Sequence, residues 1–101
     1  MAELIYSGRA LTDLGRLTDF LLDVDPASAH ETAGLIIEAV EVLNNHPLIG
    51  RPVEEGLCEL LVSRGQSGHV ALYSYEEAED VVLILAIRHQ REAGYFIEPG
   101  A

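Results

Sequence analysis

The sequence predicts an α+β fold of order β-α-α-β-β-β, in which an antiparallel helical hairpin packs on one face of a curved, mainly antiparallel sheet. Three observations predict it. Apolar residues recur at spacings of three and four from about residue 8 to 24 and again from about 26 to 45, the period of amphipathic helices. Only Asp25-Pro26 separates these segments, and so short a connection makes the helices antiparallel neighbours. Three strand-like apolar runs then follow, joined by short polar turns, which makes an antiparallel meander.

Residues 3–6, Glu-Leu-Ile-Tyr, read as a short strand whose partner in the sheet the sequence does not give. Ser7 is the N-cap of the first helix, because its hydroxyl can accept from a backbone N–H left free in the first turn. Ala10, Leu14, Leu17, Leu21 and Val24 form that helix's apolar stripe, with Arg9, Asp13, Arg16 and Asp23 placed largely elsewhere. Asp25 caps the second helix, and Pro26 suits its first position, where a missing N–H costs nothing. Ala29, Ala33, Ile36, Ile37, Val40 and Leu43 are its expected buried face. Pro47 disfavours helical geometry at His46 and ends it. Residues 47–56 are a Pro- and Gly-rich loop. The meander strands are expected at 57–63, at 69–75 after the turn Gly65-Gln66-Ser67-Gly68, and at 80–88 after the acidic turn 76–79. Residues 81–87 are apolar on both faces and belong inside the sheet.

Composition narrows the classes of function. A chain of 101 residues, 49% apolar, supports one domain, residues 1–101, with one core. No apolar run approaches the 18 residues of a membrane span, and the start Met1-Ala2-Glu3-Leu4 lacks the basic segment of a secretion signal. The expected location is the cytoplasm. Six Lys+Arg, all arginine, stand against 17 Asp+Glu, a net charge of −11. Such a surface repels phosphate backbones and anionic lipid, so free nucleic acid and membranes are not expected partners, and a partner with a basic face is. His30 and His46 stand at no metal-ligand spacing, Cys58 is isolated in a strand, and glycines 65 and 68 do not lead from a strand into a helix. Neither a metal nor a cofactor is expected.

In an up-down meander the end of the first strand, the start of the second and the end of the third lie at one end of the sheet. That brings Arg64, His69 and Arg88 together as one small basic spot on an acidic protein. Strand alternation puts Arg88 and Gln90 on one face and His89 and Arg91 on the other. Arg51, between Gly50 and Pro52, reads as structural, binding carbonyls or a helix C-terminus.

Local words then add a resemblance. Pro47-Leu48-Ile49-Gly50-Arg51-Pro52 resembles the P-x-x-G-R loop of ParE-like toxins. Gly68-His69-Val70-Ala71-Leu72-Tyr73 is similar to that family's second meander strand, and Val82 to Arg91 to its last, a hydrophobic run closing on a His and a nearby Arg. Together these resemble the RelE/ParE superfamily of type II toxin–antitoxin (plasmid stabilisation) systems over about residues 3–95. The resemblance implies a toxin neutralised by a cognate antitoxin. It also implies one of two activities: ParE-like members inhibit DNA gyrase without a known catalytic centre, and RelE-like members cut mRNA on the ribosome.

RNA cleavage needs a base, a stabiliser for phosphorane charge and an acid for the leaving oxygen. RelE-like nucleases place basic residues on the first two meander strands, more at the end of the last, and a Tyr near the C-terminus. Here Glu59 and Val70 stand on the first two strands, while Arg88, His89, Arg91 and Tyr95 remain. With half the set missing, the resemblance points first to a ParE-like binding protein, not an enzyme, whose candidate target- or antitoxin-binding residues are Arg64, His69, Arg88, His89, Arg91 and Tyr95. The alternatives are a RelE-like nuclease using Arg64, Arg88, His89, Arg91 and Tyr95, and a non-toxic relic that keeps a binding role. Homodimerisation through the outer face of the helical hairpin stays open.

Overall fold

The computed structural model describes residues 1–64, 67–90 and 92. Strand β1 (Glu3–Tyr6) leads into helices α1 (Gly8–Val24) and α2 (Pro26–Val40), and a 3-10 turn covers Glu41–Asn44. Strand β2 (Arg51–Pro52), a second 3-10 turn at Glu54–Gly56, and strands β3 (Leu57–Arg64), β4 (Ser67–Glu76) and β5 (Val81–His89) complete the order. The five strands form one sheet, β1-β5-β4-β3-β2. The α+β fold and the antiparallel meander are as the sequence predicts, and the partner of the first strand is now given. β1 runs parallel to β5, Glu3 opposite Val81 through Tyr6 opposite Ile84.

Both helix starts follow from their capping chemistry. The Ser7 hydroxyl accepts from the Ala10 N–H at 3.0 Å and donates to the Leu85 carbonyl at 3.0 Å, so one side chain caps α1 and ties it to β5. The Asp25 carboxylate accepts from the Ser28 N–H and hydroxyl, with Pro26 in the first position of α2.

The core lies between the hairpin and one face of the sheet. Ala10, Leu17, Ile36, Val40 and Leu43 meet Val62, Ala71, Tyr73, Val82, Ile84 and Ile87 there. Two expectations for the helices need correction. Ile37 is exposed, one residue round the helix from the buried Ile36. Asp13, expected off the apolar stripe, is buried at 1% exposure. The reason lies at the sheet edge. β1 ends at Tyr6, so beyond Ile84 no described strand flanks β5 on the side away from β4, and the Asp13 carboxylate accepts the Ile87 N–H at 2.9 Å in place of a strand carbonyl.

Several boundaries differ as well. Ser67 and Gly68 belong to β4, not to a four-residue turn, and the second helix tightens to 3-10 geometry after Val40. The loop 47–56 hides β2, whose Arg51 and Pro52 pair antiparallel with Glu59 and Cys58. Proline is tolerated there because β2 is an edge strand. Gly50 just before it is buried, and its N–H donates to the Tyr73 hydroxyl at 2.9 Å. A Cβ at Gly50 would come within 2.5 Å of that oxygen and 2.8 Å of the Glu59 carbonyl, so only glycine allows the approach.

A β-bulge falls in the β4–β5 pairing. Leu72 pairs with Ala86 but Tyr73 pairs with Ile84, which leaves Leu85 as the extra residue. One extra residue inverts the in–out alternation beyond it. Val82 and Ile84 face the helices before the bulge, and Ile87 and His89 do so after it.

Candidate functional site

The bulge decides where the candidate residues go. His69 pairs directly with His89 across β4 and β5, and Val70 pairs with Arg88. The end of the sheet holds His69, Arg88 and His89, and the backbone of Arg64 ends β3 there, but the single basic spot expected of Arg64, His69 and Arg88 is not formed, because His69 and Arg88 lie on opposite faces. Arg88 and Gln90 share the open face, and His69 and His89 turn toward the helices.

On the open face, Arg51, Glu59, Leu61, Val70, Arg88 and Gln90 line a hollow of about 400 Å³. Glu59 stands between the two arginines of this hollow. One carboxylate oxygen accepts from the Arg51 guanidinium at 2.6 Å, and the other lies 4.0 Å from that of Arg88. Arg51 therefore pairs with a carboxylate on the neighbouring strand, not with the loop carbonyls or helix end expected for it. Arg88 is half-buried and caps the strand end, its Nη1 donating to the carbonyls of His89, Gln90 and Glu92 at 3.2, 3.3 and 3.2 Å. Gly68 sits beside Gln90, where a Cβ would run into the glutamine side chain.

On the helix side, a cavity of about 550 Å³ opens between the hairpin and the sheet end. Leu17, Phe20 and Leu21 of α1 and Ser28 and Thr32 of α2 form two walls, and His69 and His89 form the floor. The imidazoles meet edge to face with centroids 5.2 Å apart. His69 is buried at 5% exposure. Burial, and then the charge of His89, push the His69 pKa below its ordinary value, against a smaller upward pull from Glu92.

Glu92 closes this end. It accepts from Arg16 at 2.6 Å and from the His89 backbone N–H at 2.9 Å. Burial raises its pKa, but these bonds outweigh burial and hold it below the usual carboxylate range. Arg16 also lies 3.7 Å from the buried Asp13, so α1 is linked to the end of β5 at two points.

Sequence reasoning missed Asp13 and Glu92. A signal for Asp13 was present, since it stands three residues after Ala10 and four before Leu17, on the buried stripe. No comparable signal marks Glu92, whose partner is 76 residues away. The backbone of Arg64 ends β3 opposite Ser67, while its side chain, Arg91 and Tyr95 lie outside the described residues. Among the described residues, no three His, Cys, Asp or Glu side chains come together as a metal site. No described helix is long and apolar enough to cross a membrane.

This geometry has relatives. A family model described as the ParE toxin of the type II toxin–antitoxin system parDE matches residues 4–94. The toxin RelE3 of Caulobacter vibrioides is 37% identical over 84 residues, 83% of this chain and 89% of that protein. A solved chain from the chromosomal ParDE system of P. aeruginosa superposes with a TM-score of 0.73 at 25% identity, covering 88% of this chain and 96% of that one. A chain of the RelBE2 toxin–antitoxin complex of Mycobacterium tuberculosis shares the fold with a TM-score of 0.58 at 22% identity, covering 88% of this chain and 98% of that one.

Proposed function

Because the chain belongs to the ParE family of toxins from type II toxin–antitoxin systems, we propose that it acts by docking on a protein target such as DNA gyrase, without catalysis, and is neutralised by a cognate antitoxin. The observation that carries this reading is Glu59. Where RNA cleavage needs positive charge beside a scissile phosphate, the open face holds a carboxylate bound to Arg51 and drawn to Arg88. Arg88 is itself committed to three backbone carbonyls. A net charge of −11 opposes RNA further. The antitoxin part is supported by the two solved relatives, which come from toxin–antitoxin systems.

Supercoiling by purified gyrase in the presence of this protein tests the reading. Inhibition at micromolar concentration is expected, and the absence of both inhibition and binding contradicts it. The 37% identity to a toxin named RelE3 favours a second reading, an mRNA endoribonuclease. In that case translated mRNA is cut at the ribosomal A site, and the cuts vanish in Arg88→Ala. Unchanged growth after induction without antitoxin would leave only a binding role for the fold.

A further inference from the structure

The loop between the helical hairpin and β2 presents apolar surface that the fold does not bury. His46-Pro47-Leu48-Ile49 form a turn closed by the Ile49 N–H, which donates to the His46 carbonyl at 3.1 Å, and Pro47 stands where its fixed φ suits such a turn. Leu48 and Ile49 follow each other on it, 70% and 58% exposed. The turn is held from both sides. Before it, the His46 N–H donates to the Val42 carbonyl at 3.0 Å. After it, the buried Gly50 N–H donates to the Tyr73 hydroxyl at 2.9 Å, and Arg51 and Pro52 pair with β3. The four residues of the turn line a shallow, largely apolar hollow of about 340 Å³. Single exposed leucines are ordinary on any surface, but two adjacent large aliphatic residues on one anchored turn make a contiguous patch.

We propose that Leu48 and Ile49 are the apolar anchors with which the protein docks on its target, entering a hydrophobic pocket of that target rimmed by Lys or Arg. This docking surface deepens the gyrase-binding reading above, on which it rests, by naming the residues that make the contact. Taking two aliphatic side chains out of water stabilises a complex, and a turn already fixed in one geometry loses little entropy when it docks. Binding residues are commonly carried in this way, on a loop positioned by a rigid scaffold. The charges around the turn set the sign of the rim. Glu41 precedes it and Glu54 and Glu55 follow it, all three exposed, while Arg51 is bound to Glu59 at 2.6 Å. On a chain of net charge −11, a basic rim is attracted and an acidic one repelled. The hollow on the turn is too shallow to enclose a small molecule, so a protein surface is the occupant that fits.

The test measures inhibition of purified gyrase by the full chain, beside calorimetric binding of the cognate antitoxin. The double variant Leu48→Ser, Ile49→Ser should inhibit at least about tenfold more weakly than wild type, the loss expected when aliphatic anchors buried in a complex are truncated. Its urea midpoint should match wild type, because both side chains are exposed in the free protein. Its affinity for the antitoxin should be unchanged. Leu11→Ser, which removes an exposed leucine of α1, should inhibit as wild type does. If the double variant is destabilised, Leu48→Asn alone carries the test, with a loss of about fivefold expected. A stable variant that inhibits as strongly as wild type overturns the assignment of this turn and leaves the gyrase reading standing. Loss of antitoxin binding with undiminished inhibition overturns it as well, because the turn then serves the antitoxin. Wild type that neither inhibits nor binds gyrase overturns both.

Discussion

Single residues carry much of the fold's specificity, and Asp13 is the clearest case. Its buried carboxylate serves one backbone N–H that no strand reaches. Asp13→Ala leaves that donor without a partner, and a loss of about 2 kcal/mol is expected in urea unfolding. Asp13→Asn, whose side-chain oxygen still accepts, should lose less. The Gly50 and Tyr73 pair makes a matching case, because it explains why a loop word and a strand word occur together. Tyr73→Phe removes the acceptor for a buried N–H and should cost about 1–2 kcal/mol. Gly50→Ala should cost more, since nothing near the new methyl can yield easily. His69 sets a pH dependence. Its folded pKa is lowered, so the fold favours the neutral imidazole while the unfolded chain takes up a proton near pH 6.5. This group's contribution is present above about pH 6.5 and is lost as pH falls from there through the folded value. The midpoint of urea unfolding should therefore drop on mild acidification, and His69→Gln should reduce the drop. Glu92 acts in the same direction but only at more acidic pH, as its pKa lies below 4.5.

At the scale of elements, the sheet edge and the bulge position the candidate residues. Ser7→Ala removes both an N-cap and a bond to the strand beside it, and about 1–2 kcal/mol should be lost, with Ser7→Thr recovering most of it. The elements that announce themselves by period were legible in the sequence. The stripe of α1, the Asp25-Pro26 restart and the three apolar runs of the meander each need only local information. What was not legible depends on distant partners. The parallel pairing of β1 with β5 joins residues nearly 80 positions apart. β2 is two residues with a proline and carries no strand signal of its own. The bulge at Leu85 leaves no mark in an apolar run, yet it decides that Arg88 looks outward and His89 inward. Strand alternation alone separates Arg88 from His89, while which of them faces the helices, and that His69 joins His89 rather than Arg88, came only with the register.

At the scale of the whole molecule, charge decides which partners are admissible. With −11 on 101 residues, long-range attraction favours a basic protein surface. Association with a basic protein partner such as the proposed antitoxin should slow as salt rises from about 0.05 to 0.5 M, which stopped-flow mixing would measure. The same charge argues against capture of free RNA. The open face repeats the argument locally, since Glu59 stands among the arginines a phosphate would need. The account as a whole therefore turns on whether this toxin fold cuts RNA. Mapping mRNA 5′ ends by primer extension after induction without antitoxin addresses that directly. The account predicts arrested growth with intact messages. Cuts at the ribosomal A site that disappear in Arg88→Ala would contradict it.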